Sequence, residues 1–252
     1  MSESVWLLIV SLAAMVSGVA VGSWLRDRLP EHHLNDQAIS VIKSGVGLLS
    51  TLAALILGLL ISTAKISYDS TASQLNQISS DLVLLDQLFS EYGPLADGAR
   101  EALRQQSAAL ANNIWAPASK LGHHAFVASD AWKRFSATIY QLPNATEQQR
   151  QFRKQIDDVI SRGAQARLHL YTDSGSTLPV PFLVLLIFWL AVIFASYSIL
   201  GVINPTVMVF VALFALSAAG ALFLIAELNT PFSGLLKLPE TQISQALPSL
   251  SR

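Results

Sequence analysis

The residues of this chain that could do chemistry lie along apolar segments. Between residues 47 and 62, small and hydroxyl side chains recur as Gly47, Thr51, Ala54, Gly58 and Ser62, in steps of 4, 3, 4 and 4, and Lys65 follows three residues later. At 3.6 residues per turn they share one narrow helix face. The other faces carry Leu48, Leu49, Leu52, Leu55, Ile56, Leu59, Leu60 and Ile61. Such a face has two uses. Small residues let helix backbones approach and gain van der Waals contact. They can also line a pore, leaving room while hydroxyls offer partners to a partly dehydrated ion. Both uses stand open, and in an oligomer they coexist. Lys65 and Glu227 are candidates for a pore mouth or an interfacial ion pair, because a charge near hydrocarbon must be paired or reach water. Ordinary snorkelling is the alternative.

Other chemistry is sparse. His32-His33 and His123-His124 are the histidine clusters, beside a lone His169. Neighbouring helical positions point apart, and no carboxylates accompany them at helical spacing, so no metal site is expected. The chain has no cysteine, which excludes thiol catalysis and thiolate ligation. No glycine-rich nucleotide loop, zinc-protease motif or Ser/His/Asp set is legible, so neither an enzyme nor a cofactor is expected. Glu101, Glu147 and Asp157-Asp158 read as solvated helix faces, and the sequon Asn144-Ala-Thr146 as a chance triplet. A formal net charge of -1 offers no field to recruit nucleic acid.

The elements that must position these residues are four apolar segments, at about Ser4–Leu25, Ser44–Ile66, Pro179–Leu200 and Pro205–Leu228. Each is long enough to cross the roughly 30 Å core of a bilayer as a helix. Charged residues are only 13% of the chain, against roughly 25% in soluble domains. The lipid bilayer is therefore the first partner, and the expected location is the cell (inner) membrane, multi-pass. The first segment carries small residues before Arg26 (Ser17, Gly18, Ala20, Gly22 and Ser23) that could suit a cleavage site. It lacks a basic start and exceeds a typical signal-peptide core, so it reads as a retained span.

The expected organisation is residues 1–66, two spans joined by a short basic loop; 67–177, an extramembrane helical bundle; 178–228, two further spans; and 229–252, an amphipathic tail. Both termini and the bundle then share one side. Arg26 and Arg28 favour the cytoplasm for the opposite side and an extracytoplasmic bundle, whereas Lys65, Arg162, Arg167 and Lys237 pull the other way.

The bundle region is patterned. Leu75, Ile78, Leu82, Leu85, Phe89 and Tyr92 form a heptad-like stripe, and no Pro or Gly lies between Gly58 and Gly93. The second span therefore continues as one helix from about Gln37 to Tyr92, roughly 80 Å long at 1.5 Å per residue, until Gly93-Pro94 stops it. A second stripe, Phe152, Ile156, Val159, Gly163, Ala166 and Leu170, feeds the third span through a break at 175–181. The two long helices should pair antiparallel, with shorter helices at about 95–113 and 125–140. The fold class is all-α, with long helices extending spans two and three.

Several stretches resemble a bacterial family of bestrophin-like domain proteins. They are Leu29-Pro-Glu-His-His33, Gly45–Lys65, Leu84-Leu-Asp86, Tyr92-Gly-Pro94 with Arg100, Pro181-Phe-Leu183, Phe188-Trp-Leu190, Asn204, Ala226–Leu235 and Ala246-Leu247. True bestrophins are pentameric anion channels with four spans per subunit, a pore lined by the second span, and a Pro-Phe-Gly segment after the fourth. Thr230-Pro231-Phe232-Ser233-Gly234 is similar to that segment, making Pro231, Phe232 and Gly234 its matching residues. The acidic calcium clasp and the phenylalanine-rich neck of bestrophins are missing here, so the resemblance carries over no calcium site.

The function expected is a homo-oligomeric ion channel or channel-like protein, a ring with span two around the conduit and inorganic ions passing through it. The rival expectation is a sensory or scaffolding membrane protein whose helical bundle binds a ligand or partner. That rival predicts a polar cavity inside the bundle and a Thr51 face buried in dry packing.

Overall fold

The computed structural model describes residues 3–30, 35–114, 130–173, 180–201 and 204–239. Among them all regular structure is helical: α1 (Glu3–Arg28), α2 (Asp36–Tyr92), α3 (Asp97–Ile114), α4 (Asp130–Tyr140), α5 (Glu147–Asp173), α6 (Val180–Leu200) and α7 (Pro205–Leu228), with one 3-10 turn at Pro94–Ala96. α1, α2, α6 and α7 are long and apolar enough to cross a bilayer. The chain is an all-α membrane protein. The His32-His33 and His123-His124 pairs, the tail beyond residue 239 and most of the break expected at 175–181 lie outside the described residues.

Local sequence sets the helix ends. Asn35 starts α2 one residue before the expected Gln37, its side-chain oxygen accepting the Ala38 N–H at 2.8 Å. α2 then runs unbroken for 57 residues. Gly93, at φ +91°, leaves the helical path, and Pro94 opens the short turn that delays α3 from the expected Leu95 to Asp97. α5 opens with a capping box. The Gln149 N–H donates to the Thr146 hydroxyl, and the Thr146 N–H donates to the Gln149 side chain, both at 3.2 Å.

The chain divides into two compact units: Met1–Tyr68 with Thr177–Leu236, and Asp69–Ser176 with Lys237–Arg252. In the first unit, Met15 of α1, Ala53, Leu60 and Ala64 of α2, Leu186, Ile193 and Phe194 of α6, and Ala215, Leu222 and Ile225 of α7 form one buried cluster. α1 approaches α6 closely. Gly18 and Gly22, four residues apart, lie so near α6 that a Cβ on either would strike the carbonyl group of Ala191 or Ala195. Backbone proximity of this kind is what small residues at i and i+4 permit in a membrane, where lipid supplies no hydrophobic drive to associate. Arg26, at the end of α1, donates to the carbonyl of Gly201 just past α6.

In the second unit both sequence stripes are the packed faces. Leu75, Ile78, Leu82, Leu85 and Phe89 on α2 are buried, as are Ile156, Val159, Ala166 and Leu170 on α5. Tyr92 stacks edge-on with Phe152, ring centroids 6.3 Å apart, while Asp81 meets Arg162. The contacts run in opposite order along the two helices, so α2 and α5 pair antiparallel. From α4, Phe135 packs edge-on against Phe89, and Arg153 of α5 donates to the Ile139 carbonyl at 2.6 Å.

Candidate functional site

Helix geometry places Gly47, Thr51, Ala54, Gly58 and Ser62 on one face of α2, and within the chain all five are exposed. A Cβ added at Gly47 or Gly58 would meet nothing within 4 Å. α2 packs into its own unit through a different face, that of Ala53, Leu60 and Ala64. Within the single chain, then, the small-residue face is not the packing face. The Thr51 hydroxyl donates to the Gly47 carbonyl at 3.0 Å, so its hydrogen is satisfied locally while its oxygen lone pairs face outward. On either side stand exposed Leu48, Leu55 and Leu59.

Glu227, by contrast, is 1% exposed, at the end of α7. After Leu228 the chain reverses through Thr230-Pro231-Phe232-Ser233-Gly234. The Thr230 N–H donates to the Glu227 carbonyl at 3.1 Å, and the Ser233 N–H to the Thr230 carbonyl at 3.1 Å. This turn brings the N–H groups of Leu235 and Leu236 onto one carboxylate oxygen of Glu227, at 2.6 and 3.3 Å. Gly234 is required twice over. Its φ is +90°, and the Glu227 carboxyl group occupies the space a Cβ would need. Pro231 fixes the backbone entering the turn, and with Phe232 it is partly buried. The similarity noted around Pro231, Phe232 and Gly234 thus has a physical content: these residues build a backbone cradle for a buried carboxylate.

Lys65 and Glu227 form no ion pair with each other; both hydrogen bonds of the Glu227 carboxylate come from backbone amides. Burial explains this. A carboxylate at 1% exposure is satisfied by fixed amides that cost no side-chain entropy, whereas a lysine would have to give up its water. Lys65 is exposed, its ammonium 5.6 Å from the centre of the Tyr68 ring. The Tyr68 hydroxyl in turn donates to the Leu236 carbonyl at 3.0 Å. The middle of α2 and the turn after α7 are therefore tied together at Tyr68 and Leu236, with Lys65 one turn before Tyr68.

In the bundle, Leu84-Leu-Asp86 and Arg100 both belong to the stretches that carry the family resemblance, and spacing alone does not join them. The structure does. Arg100 of α3 grips Asp86 of α2 with two parallel hydrogen bonds of 2.7 and 3.0 Å. The hydrogen bond to Asp86 raises the Arg100 pKa against the opposing effect of burial. Two features gave little warning in the sequence: the Gly18/Gly22 approach, and a bundle cavity of about 50 Å³ beside the buried Asp81. The signal for the first was an i, i+4 glycine pair inside a span. For the second it was an acid adjoining the apolar stripe position Leu82.

Comparison with known proteins agrees with this architecture. Residues 13–243 match the bestrophin-like domain family. A mutant of a bacterial bestrophin homologue from Klebsiella pneumoniae has the same overall fold, with a TM-score of 0.63 at 12% identity, over 100% of both chains. No curated protein matches. The family match takes in the α2 face, the Asp86–Arg100 pair and the Glu227 cradle together, and the chain belongs to the bestrophin-like domain family.

Proposed function

We propose that this chain assembles into a closed ring that conducts ions through a conduit lined by α2. The single observation that carries the reading is the exposure of Gly47, Thr51, Ala54, Gly58 and Ser62, on a helix that packs within its own chain through another face. A row of small residues and hydroxyls pointing away from its own chain is wasted on lipid, which favours large apolar side chains. Around a central axis it leaves space and offers oxygen atoms to an ion. The tie between Tyr68 and Leu236 holds Lys65 beside the Glu227 turn, and together they would set the charge at one mouth. Both termini and the bundle lie on one side of the inner membrane, the extracytoplasmic one.

Current across planar bilayers carrying the purified protein tests this, with asymmetric salt so that the reversal potential reports selectivity. The expected result is a reproducible current altered by Gly58→Leu and changed in selectivity by Lys65→Glu. Silence from correctly assembled oligomers under both polarities would reject conduction. Because the native chain has no cysteine, single cysteines placed in the bundle and labelled by an impermeant maleimide report its side directly.

A second reading, a sensor whose bundle binds a ligand, rests on the bundle cavity, whose mostly apolar walls carry Asp81, Gln106 and Arg167 in place of the polar lining expected. The Thr51 face takes no part in packing within the single chain, so a sensor would have to bury it against another copy.

A further inference from the structure

The interior of the bundle holds a carboxylate with unmet demand. Asp81 of α2 is 4% exposed. Its Oδ1 accepts the Gln77 side-chain N–H at 3.0 Å and lies 3.8 Å from Nε of the half-exposed Arg162. Its Oδ2 is buried and has no hydrogen-bond partner among the described residues. Counter-charge therefore reaches one oxygen only, and weakly. A buried carboxylate oxygen without a donor is costly enough to point to a missing partner.

That partner has a place to sit. Asp81 lines a cavity of about 50 Å³ between α2, α3, α4 and α5. This is room for about three to five water-sized groups, at roughly 10–15 Å³ each. The walls are mostly aliphatic, completed by the aromatic rings of Trp132 and Phe135. The other polar groups on the wall are Gln106 and Arg167, the latter with its guanidinium 4.3 Å from the centre of the Trp132 ring. Gly163 borders the cavity too, and a Cβ there would come no nearer than 4.0 Å to Oδ2.

We propose that this cavity binds a small primary amine whose ammonium group donates to Oδ2 of Asp81. A carboxylate set among aromatic and aliphatic walls is the chemistry that recognises an alkylammonium head: charge-assisted hydrogen bonding at one end, apolar contact along the stem. Two sources share this chemistry, a simple alkylamine and a small amino acid. The amino acid would also direct its carboxylate to Arg167, whose five N–H donors can serve more than one partner. The inference is independent of ion conduction.

The experiment is isothermal calorimetry on the full-length protein in detergent, with methylammonium and alanine as probes and acetate as the control. The expected result is saturable binding of at least one probe and none of acetate. Asp81→Asn should weaken it by about tenfold or more. Gly163→Ala, which the free space accepts, should weaken it while leaving the unliganded melting temperature within a few degrees. Tighter binding of alanine than of methylammonium identifies the amino acid; the reverse identifies the alkylamine. Absence of saturable binding by both probes overturns the proposal, as does binding that survives both substitutions unchanged. Should Asp81→Asn fail to fold, the Gly163→Ala result decides alone.

Discussion

Two glycine-bearing faces in the membrane unit share the same spacing and have opposite surroundings. On α1, Gly18 and Gly22 are four residues apart, and each lies against the backbone of α6. On α2, Gly47 and Thr51, then Ala54, Gly58 and Ser62, repeat that spacing, and both glycines face open space. The difference teaches what a small-residue pattern means in a membrane. It permits close approach but does not choose the partner. On α1 the neighbours of the glycines are also buried: Ser11 and Met15 share their face at 0% exposure. On α2 the neighbours of the glycines are leucines turned outward, and the inward side is Ala53, Leu60 and Ala64. The first face packs the single chain. The second faces outward from it.

The largest test of this contrast is a leucine at each site on α1. Gly18→Leu or Gly22→Leu drives a side chain into α6 backbone, which cannot yield as a flexible side chain could. We expect a loss on the order of 3 kcal/mol or non-folding, read from thermal unfolding in detergent. Stability equal to the wild type would show that α1 and α6 do not pack this closely. A smaller loss, about 2 kcal/mol, is expected for Gly234→Ala. That glycine is constrained for another reason, by a φ of +90° and by the Glu227 carboxyl group where its Cβ would go. Glu227→Gln distinguishes the two causes. It keeps the volume and one carbonyl acceptor, so it should cost less than Gly234→Ala; an equal or greater cost would put the carboxylate's charge, not the shape of the turn, in control.

Most of the fold was legible because membrane helices announce themselves by length and apolarity. The four spans needed no tertiary information. The bundle was legible for a related reason: the 3-4 spacing of Leu75, Ile78, Leu82, Leu85 and Phe89 is set by the buried face it makes. The small-residue face of α2 was legible as a face, but its exposure was not, since spacing describes one helix and exposure depends on its neighbours. Charge and position near the span ends make Lys65 and Glu227 candidates for an ion pair or a pore mouth; the hydrogen bonds of the Glu227 carboxylate come from the Leu235 and Leu236 amides. Those amides belong to a turn whose path depends on Gly234, and no charge pattern reveals them. The burial of Asp81 is not legible because the heptad pattern names apolar positions, and an acid one residue away looks like the start of a solvated face. Ends of elements moved by one or two residues wherever a cap rather than hydropathy decided, as at Asn35 and the Pro94–Ala96 turn.

The smallest stability effects are expected on α2, and they separate its face most cleanly from that of α1. Gly58→Leu adds a side chain where a Cβ meets nothing within 4 Å, so the protomer should change by no more than about 0.5 kcal/mol. A loss comparable to that of Gly18→Leu would mean the face is packed within the chain, and the contrast would collapse. Thr51→Val goes further. It keeps the volume but removes the hydroxyl that donates to the Gly47 carbonyl, and the carbonyl keeps its ordinary helical partner. Stability should again stay within about 0.5 kcal/mol. The quantity to follow is conductance. If α2 lines a conduit, leucine at 58 narrows it and should reduce current strongly, whereas valine at 51 only removes an oxygen from its wall. Valine should therefore change selectivity among ions of one sign more than it changes total current, because losing a partner for a partly dehydrated ion matters most to the ion that sheds most water. If both substitutions leave current and selectivity untouched in assembled rings, the outward face of α2 serves contact between protomers and not conduction.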